Sequence, residues 1–230
     1  MTTAASPNAW QQALGQRLAQ ALSASRLAHA PQADASAALP GTRWQLPARD
    51  ASASAVEPAL AELLGVGAAA SQALVVQCLN HYRQLAGGAA HDDLGLALAA
   101  YLGACRQAFD HEPLTPQRWQ AIVQWLKAWV LDELPWDDAP LAERQDCFER
   151  LAVLAVALGE WTVQASRQGK AVVASSTWMA RNSLRGQLGL DLPALCAALR
   201  TLDAATAANP SAPRADLGAA AYRQPGAEPV

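Results

Sequence analysis

The sequence predicts an all-α protein: a single helical bundle of about six or seven helices, with a tethered amphipathic helix before it and a disordered tail after it. Three observations carry this expectation. Apolar residues recur at three- and four-residue steps through 59–207. No run of alternating β-branched residues interrupts them. Helix-start and helix-stop chemistry falls between the stripes, as in Asp92-Asp93, Thr115-Pro116 and Gly189.

Four stretches follow from this pattern. Residues 1–30 hold the N-terminal helix, over 9–28, with Trp10, Leu14, Leu18 and Leu22 on one face. Residues 31–58 are rich in Ala, Ser and Pro and read as a linker, so the first helix is expected to be tethered to the body. Residues 59–207 form the bundle. Residues 208–230 lack any apolar period and read as a disordered tail.

Within the bundle, a helix near 69–86 presents Leu74, Cys78 and Leu85 and stops at Gly87-Gly88. Asp92 or Asp93 caps the next, whose face is Leu94, Leu98, Tyr101, Cys105 and Phe109. Thr115 as N-cap and Pro116 at the first helical position open a third, with Trp119, Ile122, Val123, Leu126 and Val130 inward. The longest segment, 140–168, turns Phe148, Leu151, Ala152, Ala155, Leu158 and Thr162 inward. Its wet face carries Arg144, Glu149, Arg167 and Gln168, and Gly169 ends it. Ser175, Ser176 or Thr177 is expected to start the following helix. Gly189, Leu190 and Asp191 then supply one helix end and the next cap.

Composition excludes some functions. The 230 residues carry 17 basic against 20 acidic groups, a net charge of -3, so no long-range field draws nucleic acid or anionic lipid. Only Lys127 and Lys170 are lysines and alanine is abundant, which fits a GC-rich bacterial genome. Cys78, Cys105, Cys147 and Cys196 lie far apart in apolar-periodic segments and are expected to be buried, reduced thiols. With no basic start leading into an apolar stretch, the N-terminus does not read as a secretory signal, and a cytoplasmic location is expected. Residues 63–82 are uncharged but half small or polar, so a core helix is expected there and a membrane span is not.

Motifs for chemistry are sparse. No H-E-x-x-H, G-x-S-x-G, phosphate loop or dinucleotide fingerprint occurs. No catalytic residue, metal ligand or cofactor is therefore assigned. The alternative reading is a helical metal phosphohydrolase built on the His91-Asp92 pair with His81 or His111 and Asp146.

Side chains suited to a partner are easier to find. The bend "LDELPWDDAP" places Asp132, Glu133, Asp137 and Asp138 around Trp136. Acidic residues at its second half suit the N-terminus of the following helix, whereas Asp132 and Glu133 sit at the unfavourable end of the preceding one. Trp125 and Trp129 form an i, i+4 pair on that preceding helix. Arg181 and Arg185 lie one turn apart in 161–190, a stretch without one acidic residue. The expectation is a non-enzymatic accessory protein that contacts an unknown protein partner through Trp125, Trp129, Trp136, Asp137, Asp138, Arg181 and Arg185.

The segments "DLGLALAAYLGACRQAF", "PLAERQDCFERLAVLAVAL" and "ARNSLRGQLGLDLPAL", taken together, resemble an uncharacterised bacterial family catalogued as domain of unknown function 6683, over about 65–205. That resemblance implies a helical domain and carries over no catalytic residue.

Overall fold

In the computed structural model the described residues are 9–23, 56–86, 93–134, 139–168 and 170–208. Among them are eight helices: α1 (Ala9–Ala21), α2 (Glu57–Leu64), α3 (Ala68–Leu85), α4 (Leu94–Asp110), α5 (Pro116–Glu133), α6 (Leu141–Gln168), α7 (Lys170–Leu188) and α8 (Leu192–Ala208). The protein is all-α, as its periodicity predicts.

The architecture is organised around α4. Helices α5, α6, α7 and α8 all pack on it, while α3 lies against α6 and α2 against α3. The expected stripe of Leu94, Leu98, Tyr101 and Cys105 is buried, but so are Ala97, Ala99, Leu102, Gly103, Ala104 and Ala108. A helix buried on nearly every side, Arg106 and Gln107 included, lies inside the bundle. Small residues fill the remaining faces so that neighbours can approach. A Cβ on Gly103 would stand 3.1 Å from Leu114 Cδ1 and 3.4 Å from the Trp119 ring, so the glycine lets the α4–α5 connection close over the helix.

Cap chemistry explains the helix ends. Asp93 Oδ1 accepts from Leu96 N at 2.9 Å, and Oδ2 of the same carboxylate sits 2.6 Å from Lys127 Nζ, so one side chain caps α4 and ties it to α5. Thr115 accepts from Arg118 N at 3.3 Å, with Pro116 next to it. Asp191 accepts from Ala194 N at 3.1 Å, and Gly189, at φ 66°, makes the left-handed turn before it. The end of α4 departs from the glycine rule: His111 takes the left-handed position, at φ 57°.

The start of α7 is a correction. The helix begins at Lys170, ahead of the hydroxyl cluster expected to open it. Ser176 Oγ donates back to Val173 O at 2.7 Å inside the helix. Thr177 Oγ1 donates at 2.8 Å to Ala108 O, one of the terminal carbonyls of α4. Both residues lie within the helix, where their hydroxyls donate to carbonyl oxygens and open no helix start.

Helix α1 docks on the body. Leu14 and Leu18 are fully buried, and the backbone of α1 reaches the end of α7 at Gly15. Gln11 Nε2 donates to Gln187 Oε1 at 3.0 Å, and Arg150 Nη1 donates to the same oxygen at 3.4 Å. Arg17 Nη1 donates to Glu133 O at 2.9 Å, bringing a cation to the negative end of α5. Most of the expected linker lies outside the described residues, although its last part is ordered structure: Val56 is buried and α2 begins at Glu57. The expected tail lies almost wholly outside them.

The wet face expected for α6 needs one change. Glu149 is buried and accepts from Gln145 Nε2 at 3.0 Å, one turn away. Arg150 is buried beside it, and desolvation lowers its pKa from the usual guanidinium value. Pairing along and between helices makes these polar side chains compatible with the interior.

Candidate functional site

Two tryptophans expected at a contact surface are in the core. Trp125 is 8% exposed and Trp129 5%, both packed inside the bundle with Ile122, Leu126 and Val130. The contact expected from this pair is therefore not at these side chains. Trp136, Asp137 and Asp138 lie outside the described residues. So do His91 and Asp92, while His81 is on α3, His111 caps α4 and Asp146 is on α6. Among the described residues no three His, Cys, Asp or Glu side chains converge as a metal site.

Among the described residues the most exposed aromatic side chain is on α7. Trp178 is 63% exposed, the most open large apolar side chain among those described, and Trp161 on α6 is 37% exposed. Arg181, Asn182 and Arg185 are exposed as well and follow Trp178 at i+3, i+4 and i+7, which places all four on one face of the helix. The opposite face, with Met179, Ala180, Leu184 and Leu188, is buried in the core and aligns α7. Tyr101 on α4 and Ser183 on α7 share a buried hydrogen bond of 2.8 Å that fixes the register. Arg181 and Arg185, which the sequence suggests for a partner contact, are exposed here, and Trp178, which that expectation does not include, lies on the same face. The signal was present, since Trp178 stands one turn before Arg181 in the stretch that lacks acid.

A second feature is a cavity of about 400 Å³ between α3, α4 and α6, with Trp119 of α5 at one side. Its floor is Ala100 and Ala104 of α4 with Val156 and Gly159 of α6. At its rim, His81 Nδ1 lies 2.5 Å from Glu160 Oε1. Gln164 and Arg167 continue the rim along α6. No motif announced this space, because it is made by what small residues leave unfilled.

Elsewhere the charged groups hold helices together. Arg106, 2% exposed, donates to Asp110 Oδ2 at 3.2 Å and to Asp203 Oδ2 at 2.6 Å, joining α4 to α8. Arg118 of α5 lies 3.4 Å from the same Asp203 oxygen, and Arg200 of α8 2.5 Å from Asp110 Oδ1. The four cysteines are free and buried, as expected. Burial pushes the thiols of Cys78, Cys147 and Cys196 up to about 12 and raises that of Cys105 as well. Groups held this firmly as thiols are poor nucleophiles at neutral pH.

A model of the family described as "Family of unknown function (DUF6683)" matches residues 6–195. The match begins earlier than the resemblance read from the bundle helices and takes in α1. No curated protein and no solved structure matches the chain. No helix among the described residues is long and apolar enough to cross a membrane.

Proposed function

The chain belongs to DUF6683, and we propose that it is a non-enzymatic protein-interaction protein whose contact surface is the exposed face of α7. The observation that carries this reading is the exposure of Trp178 on the same helix face as Arg181 and Arg185. Trp and Arg dominate the energy of protein interfaces because each offers a large contact area together with a polar group. The chemistry of the partner follows from charge. Between 161 and 190 there are arginines and Lys170 but no carboxylate, in a chain whose net charge is -3. An acidic amphipathic segment, with an apolar side chain to cover Trp178 and carboxylates to meet Arg181 and Arg185, complements this face.

The test is the affinity of the full chain for immobilised helical peptides of one apolar pattern in acidic, neutral and basic versions. The acidic peptide should bind best and lose affinity with salt. Trp178→Ala, and separately Arg181→Glu with Arg185→Glu, should each weaken it about tenfold or more. Equal binding of all three peptides, or binding of anionic vesicles in their place, overturns the proposal.

A further inference from the structure

We infer that the cavity between α3, α4 and α6 is a binding site for a small amphipathic monocarboxylate, a compound with an aliphatic or aromatic body and one anionic head. Its volume of about 400 Å³ lies within the roughly 300–1,000 Å³ usual for small-molecule sites.

The apolar end is set by residues too small to fill the space. Ala100 and Ala104 face it from α4, and a Cβ built on Gly159 of α6 meets nothing within 4 Å. A glycine in mid-helix costs about 1 kcal/mol against alanine, and here no close backbone approach requires it. The Trp119 ring offers a flat apolar surface at one side of the same space.

The charge of the head follows from the rim. Glu160 is engaged by His81, whose Nδ1 lies 2.5 Å away, so the Nε2 of that ring is left for another partner. Arg167 stands two turns along α6 from Glu160 and also lines the cavity, and no carboxylate pairs with it among the described residues. A guanidinium at the mouth of an apolar cavity favours a carboxylate, which it can hold through two parallel N–H bonds. A cationic head at the Arg167 end of the cavity would meet the guanidinium, with Glu160 two helical turns away and in contact with His81. A neutral head would fill the cavity but leave the exposed guanidinium to water, without the charge-assisted pair.

The experiment is calorimetric titration of the full chain with decanoate, phenylbutyrate, decanol and decylamine. At least one of the two acids should bind, and decylamine should bind about tenfold or more weakly than decanoate. Gly159→Leu fills the cavity and should abolish binding while the helical circular dichroism is kept. Should that variant not fold, Ala100→Leu fills the same space from α4. Arg167→Gln should bring decanoate down to the affinity of decanol. A folded native chain that binds neither acid overturns the inference. So does a folded filled variant that binds like the native chain, or an Arg167→Gln chain that still prefers decanoate. The α7 face is untouched by these variants, so the two proposals fail separately.

Discussion

Gly15 of α1 lies so close to Leu188 at the end of α7 that a Cβ on the glycine would stand 2.0 Å from the Leu188 carbonyl oxygen. The obstructing atom is backbone, which cannot swing aside as a side chain can. The N-terminal helix is thus held on the bundle through a contact that only glycine permits, with Leu14 and Leu18 buried on either side of it.

Gly15→Ala is therefore expected to separate α1 from the body even though alanine is the better helix former. Overpacking of this kind costs about 1–3 kcal/mol. Hydrogen exchange should show α1 losing protection while α4 and α6 keep theirs. Unchanged protection of α1 would mean that the close approach does not hold it.

Arg106 is the buried centre of the ionic group that joins α4, α5 and α8. Arg106→Leu leaves Asp110 and Asp203 to the more exposed Arg200 and Arg118 and should destabilise the chain by about 1–3 kcal/mol in urea unfolding. Adding Asp203→Leu to that variant should recover part of the loss. A double variant less stable than the single one would show that the carboxylate serves another purpose.

The thiols give the pH dependence. Cys78, Cys147 and Cys196 are raised by burial from 9.0 to about 12, so the folded chain keeps protons that the unfolded chain releases. A raised acid adds stability that is whole below pH 9 and falls as the pH climbs from there toward 12. Thermal melting should drop steadily over that window, and a chain with all four cysteines changed to alanine should drop less. The folded native chain should also resist alkylation at pH 8 and react at all four positions in denaturant.

Tryptophan positions separate core from surface. Trp125→Ala should cost about 3–5 kcal/mol as a core truncation, whereas Trp178→Ala should change stability by no more than about 0.5 kcal/mol. Denaturant midpoints for the two variants decide this, and a large loss at Trp178 would mean that the side chain is covered in solution.

The helices were legible because their signals are local. Asp93, Thr115-Pro116 and Gly189 through Asp191 act on their own neighbours, and each cap forms where its residue type predicts. What depended on a distant element was not legible. The hydroxyl of Thr177 resembles a helix start in sequence, yet it is engaged by a carbonyl of α4. Glu149 and Arg150 have the composition of a wet face and lie inside because Gln145 and Gln187 meet them. Trp125 and Trp129 were legible as a pair, but the sequence could not say that helices would cover them. The cavity beside Gly159 is an absence of atoms, which no residue pattern records.

The proposed contact sets Trp178 and the arginines beside it on α7 against an acidic protein partner. The direct measurement places a photoreactive amino acid at position 178 in cells that make the protein, followed by mass spectrometric mapping of the adducts. Such a contact gives crosslinks to an acidic amphipathic segment of a protein, lost when Arg181→Glu and Arg185→Glu are added. Crosslinks to lipid alone, or protein crosslinks that persist after both arginines are reversed, would contradict it.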